Sequence, residues 1–167
     1  NHRKDGFMAR LGWGLIRLGQ SKQRFGKVTH TEAVLGGQWW NCTIASATAR
    51  DDAAIRIKTT ELNPEHWVVL DVPLWDREKS EAWFKTNLGT PYSKLGAAAS
   101  ASMLVAMALD IAKVDLLTLG SWCSRAVPES VGVQGAEDLS PSEVFTLAWA
   151  LPGTVDITAQ FFGVART

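Results

Sequence analysis

Residues 28–47 read VTHTEAVLGGQWWNCTIASA, and the folding of this stretch decides the architecture. Val28 to Leu35 is bounded by Gly36-Gly37, which predicts a strand followed by a turn. Gln38 to Ala47 is a second strand candidate, and the glycine pair between the two makes a hairpin. Outward from the hairpin, Ala54 to Thr59 (AIRIKT) alternates cleanly and predicts a third strand. Trp67 to Val72 (WVVLDV) predicts a fourth, ended by Pro73. Upstream, Phe7, Leu11, Leu15 and Leu18 recur near helical spacing with Asp5 as cap, although Gly12 and Gly14 weaken that helix.

Downstream, helical periodicity over Glu78 to Leu88 is broken by Gly89-Thr90-Pro91. Leu95 to Leu119 predicts a long apolar helix, and Trp122 to Val131 a short helix or a turn into one. Ser140-Pro141-Ser142-Glu143 is a helix start: Ser140 caps, Pro141 takes the first helical position and Glu143 completes a capping box. That helix runs to about Ala150, Pro152-Gly153 turns the chain, and Val155 to Val164 predicts a last strand. Strands and helices are segregated along the chain, which predicts an α+β fold rather than a doubly wound sheet.

A length of 167 residues fits one domain spanning 1–167, and 46% hydrophobic with 20% charged residues argues against a disordered chain. Lys plus Arg equals Asp plus Glu at 17, so there is no bulk attraction to nucleic acid or to an anionic membrane. The longest charge-free run, Leu95 to Leu109, is 15 residues, too short to span a bilayer; no membrane insertion is expected. The chain starts Asn-His-Arg-Lys and contains no secretory pattern, so its location is open, with the cytoplasm as default. Cys42 and Cys123 build neither a disulfide framework nor a CxxC zinc site, and no metal or organic cofactor is expected.

The chemistry concentrates in two places. On a strand His30 and Glu32 share a face, and a carboxylate beside an imidazole fixes its tautomer and raises its basicity. The pair fits a solvated polar face equally, with Thr29 and Thr31 turned inward. Cys123 follows Gly120-Ser121-Trp122 at a predicted helix start, where a thiolate is stabilised; it also fits an ordinary buried cysteine. Together they are the parts of a Cys–His–acid nucleophilic site. Tyr92, the single tyrosine, is a candidate hydrogen-bond donor near a reacting carbonyl or a half-buried turn residue. His66 reads as a surface residue and Cys42 as a core residue. Trp39, Trp40 and Trp75 read as core, with a groove as the other option. Asn41-Cys42-Thr43 fits the glycosylation pattern, without secretory support.

Thr29-His30-Thr31-Glu32-Ala33-Val34-Leu35 resembles the S-H-x-E-hydrophobic strand of the circularly permuted NlpC/P60 (YiiX-like) papain-fold hydrolases. Leu88-Gly89-Thr90-Pro91-Tyr92-Ser93-Lys94-Leu95-Gly96 resembles their G-x-x-Y-D-x-x-G segment, Trp122-Cys123-Ser124 their C-S-E motif, and Leu139-Ser140-Pro141 their later helix start. The order, His early and Cys late, is that of the permuted group, and the likeness covers about residues 8 to 150. It implies a papain-like antiparallel sheet packed against helices, with Cys123 as nucleophile, His30 as base and Glu32 orienting His30. It implies attack on an amide or ester through a thioester, on peptide, cell-wall or acyl substrates, in a bacterial or phage setting. Ser124 and Arg125 follow the nucleophile as candidate substrate-binding residues. Arg125 replaces the family's Glu, which would favour an anionic group, and Ser93 replaces its Asp. Pro128 predicts a kinked or short nucleophile helix. Two other readings remain: a binding module that keeps the fold without turnover, and a metal-dependent hydrolase using His30, Glu32 and His66.

Overall fold

The computed structural model describes residues 28, 30–49, 54–101, 120–136 and 139–163. The expected helix over 7–18 and the expected apolar helix beyond residue 101 lie outside these residues. Three strands, β1 (Ala33–Gln38), β2 (Asn41–Ala47) and β3 (Ile55–Thr60), form an antiparallel sheet in the order β1-β2-β3. The central strand β2 is covered on both faces, as its side-chain alternation allows. Ala45 and Ala47 join Ala33, Leu35, Ile55, Phe84, Ala126 and Val127 in one core cluster. Cys42 and Ile44 join Leu62, Val69 and Phe162 in another.

The hairpin is real, but its turn and start differ from the expected ones. β1 begins at Ala33 rather than Val28, so His30 and Glu32 precede the ladder. The turn is Trp39-Trp40, while Gly36 and Gly37 lie inside β1 opposite Thr43 and Cys42. A register shift between Val34 and Gly36 accommodates the glycines. Gly37 has φ 87°, and a Cβ there would collide with the Asn41 carbonyl oxygen. Tertiary contacts hold the tryptophan turn: the Trp39 carbonyl accepts from Leu62 N–H at 2.8 Å, and its ring lies 6.3 Å from Phe162.

Only Leu70–Asp71 of the expected fourth strand is laddered, as β4, and its partner is β5 (Val155–Asp156) in a separate two-stranded sheet. The expected last strand therefore stops after two residues. The chain turns instead into a helix over Thr158–Phe162, because Asp156 Oδ1 accepts the Thr158 N–H and Ile157 and Phe162 reach the second core.

Four further helices are described. α1 (Arg77–Thr86) is capped by Asp76, whose carboxylate accepts Lys79 N–H, and it buries Phe84. α2 begins at Lys94 and is described to Ala101; Ser93 Oγ caps it by accepting Gly96 N–H at 2.9 Å. α3 (Cys123–Glu129) is short, as Pro128 predicted. α4 (Pro141–Ala150) carries the capping box between Ser140 and Glu143. The helix over Thr158–Phe162 is α5. The mixed α+β character is thus as expected, and no described helix is long and apolar enough to cross a membrane.

One backbone rung positions the start of α3. Ile55 N–H donates to Thr90 O, Ser121 N–H to Pro91 O, and Ser93 N–H to Ser121 O, so residues 90–93 bridge β3 to the segment entering α3. Gly120 has φ 90°, and a Cβ there would strike the Pro91 carbonyl oxygen. Gly96 packs directly on the Trp122 ring, with no room for a Cβ.

Candidate functional site

Cys123 opens α3 and is 4% exposed. Its sulfur receives the backbone N–H groups of Thr31 and Ser124 and a hydrogen bond with the His30 side chain. His30 Nε2 lies 3.1 Å from Glu32 Oε1, which leaves Nδ1 for the sulfur. Glu32 Oε1 also accepts the Ser46 hydroxyl at 3.0 Å. The result is a continuous line Cys123–His30–Glu32–Ser46, in which β2 supplies the last member. The Trp67 ring meets the His30 ring edge-on, centroids 6.3 Å apart.

The electrostatics follow from this geometry. Burial pushes the Cys123 thiol up, but the His30 charge, the His30 hydrogen bond and the two backbone N–H groups together bring it below its ordinary 9.0. Burial pulls His30 down, and the Cys123 sulfur with Glu32 outweighs it, raising the imidazole from 6.5 to about 10. The opposite shifts favour a thiolate–imidazolium pair. Cys42 provides the contrast: burial first, then the Glu32 charge, push its thiol up, so it stays protonated.

The other expected site residues are placed unequally. Tyr92 is half-buried, and burial followed by the Cys123 charge raises its phenol, which keeps its proton as a donor near the sulfur. Ser124 presents its backbone N–H to the sulfur, and its side chain is fully buried. The Arg125 side chain is turned inward and held by its own segment. Its Nε donates to Glu129 Oε1 at 2.7 Å, its Nη1 to Gly120 O at 3.0 Å, and the guanidinium lies over the Trp122 ring. Arg125 and Glu129 also border a small cavity of about 110 Å³ with Trp83, Asn87 and Ser121.

His66 is exposed in the turn after Asn63, and among the described residues no group of three or more His, Cys, Asp or Glu could hold a metal ion. Trp39 and Trp75 pack on the two cores, whereas Trp40 is exposed.

Two members of the site were not anticipated from the sequence: the Thr31 N–H and Ser46. Placing the turn at Gly36-Gly37 sets Glu32 opposite Asn41. The real turn at Trp39-Trp40 with its bulge sets Ala33 opposite Ala45 and brings Glu32 to Ser46.

Fold and site together define a mixed α+β protein with a buried, paired Cys–His–Glu cluster. Comparison with protein-family models, with curated proteins and with solved structures yields no match.

Proposed function

We propose that this chain is a cysteine hydrolase with a papain-like core of the permuted NlpC/P60 kind, opening an amide or ester bond through a thioester. The observation that carries the reading is the hydrogen-bonded line from Cys123 to His30 to Glu32, with the thiol shifted down and the imidazole up. In the reaction the Cys123 thiolate adds to the substrate carbonyl carbon, and the His30 imidazolium protonates the leaving amine or alkoxide as the tetrahedral adduct collapses. Neutral His30 then takes a proton from water, whose hydroxide displaces Cys123 from the thioester and releases a carboxylic acid. Glu32 holds the His30 ring and stabilises its charged form. Tyr92 is the proposed donor to the carbonyl oxygen, a role its retained proton allows. The substrates that fit the reading are peptides, including cell-wall peptides, and acyl esters.

Two departures from the family pattern are compatible with it. Ser93 caps α2 by accepting Gly96 N–H, a role that Asp also fills. Pro128 shortens α3 from its far end and leaves the Cys123 end intact.

Site-resolved iodoacetamide labelling of the native protein from pH 5 to 9 tests the proposal, with Cys42 as internal control. Cys123 is expected to label at least about tenfold faster than Cys42 at pH 6, and His30→Ala to abolish the advantage. Equal labelling of the two cysteines would overturn the hydrolase reading and leave the fold as a binding module.

A further inference from the structure

We propose that Ser46 is a positioning residue of this site, whose hydroxyl anchors the Glu32 carboxylate so that the carboxylate holds His30 toward Cys123. The inference rests on the proposed hydrolase reading and extends it by one residue. Ser46 is 1% exposed and lies on the central strand β2, paired with Arg56 of β3 and one residue beyond the Ala33–Ala45 pair with β1. Its hydroxyl meets the same Glu32 oxygen that His30 Nε2 meets, at 3.0 Å against 3.1 Å. The second oxygen, Oε2, is buried and has no hydrogen-bond partner among the described residues. Glu32 itself precedes the β1 ladder, and its side chain is 5% exposed.

A buried carboxylate held among the described residues by His30 and Ser46 depends on each of them to stay in place. Among the described residues, four titratable groups bear on this site, and Arg56 of β3 stands opposite Ser46 in the ladder. His30 faces Glu32 and Cys123, Cys42 feels the Glu32 charge, and Tyr92 feels the Cys123 charge. None of these four supplies Glu32 with a neutral hydroxyl donor from the central strand, which is what Ser46 does.

The Ser46 hydroxyl thus opposes rotation of the Glu32 carboxylate away from the imidazole. That rotation withdraws the counter-charge from His30 and lowers the pH at which the imidazolium loses its proton. A purely structural serine would affect stability without moving that titration.

The test is an NMR titration of the His30 imidazole signal in the full chain, assigned against His30→Ala. The order expected is wild type highest, Ser46→Ala lower by about one pH unit, and Glu32→Gln lower again. Ser80→Ala serves as control. It removes a buried hydroxyl of the same size that pairs with Ser130 Oγ rather than with Glu32, and the His30 midpoint should not move. Should Ser46→Ala not fold, Ser46→Cys keeps the size, weakens the donor and is expected to shift the midpoint in the same direction.

A wild-type midpoint well above 6.5 that Ser46→Ala leaves in place, or raises, overturns the role of Ser46 alone. A wild-type midpoint at the ordinary value, together with a slow Cys123, overturns the hydrolase reading instead.

Discussion

His30 and Cys123 tie folding stability to pH in opposite directions. His30 is raised from 6.5 to about 10, so its stabilisation is complete below 6.5 and is lost as pH climbs through about 10. Cys123 is lowered from 9.0, so its stabilisation is complete above 9.0 and is lost as pH falls through its depressed value. Between 6.5 and 9.0 the slopes cancel, because the folded ion pair and the unfolded neutral pair bind the same number of protons. The stability difference between wild type and the Cys123→Ala/His30→Ala variant is therefore expected to be flat across that window and to shrink on both sides of it. Thermal unfolding at half-unit pH steps reads this, and a difference constant from pH 5 to 10 would rule out the pair. Cys123, His30 and Glu32 were legible as candidates because thiol, imidazole and carboxylate are chemically conspicuous. Ser46 was not, because a serine becomes a partner of Glu32 only once the hairpin register is known.

At the level of elements, the approach of α2 to Trp122 governs where Cys123 stands. Gly96 lies in the first turn of α2, and the Trp122 ring fills the space its side chain would need. In an exposed helix Gly→Ala gains about 1 kcal/mol from propensity. Here the added methyl meets a fully buried indole, and crowding of that kind costs about 1–3 kcal/mol. Gly96→Ala is expected to destabilise on balance, measured by urea unfolding, and to slow Cys123 alkylation because Trp122 directly precedes Cys123. A stabilised variant would mean that α2 can move off the ring freely. The capping box of α4 was visible in local sequence, since it involves residues three apart. The β4–β5 ladder was not, because its strands are two residues long and lie far apart in the chain.

Across the whole molecule, the sheet separates two apolar clusters with different relations to the site. Phe84 anchors the cluster that holds Ala126 and Val127 of α3, whereas Phe162 anchors the one holding Cys42 and Ile44. Truncating either ring to alanine is expected to cost about 3–5 kcal/mol. Phe84→Ala should also weaken the low-pH reactivity of Cys123, while Phe162→Ala should leave it unchanged in the folded fraction; alkylation at low denaturant separates the two. Sequence alone determined the α+β class, the hairpin, the short α3 and the residue types able to make a thiolate–imidazolium pair. Those follow from local periodicity, breakers and side-chain chemistry, which act over a few residues. Tertiary structure alone decided the turn position, the inward orientation of Arg125, the burial of the Ser124 side chain and the arrival of Ser46 at Glu32. Each depends on which distant surfaces compete for the same space, as when Phe162 and Leu62 hold Trp39 in the turn that the two glycines were expected to form.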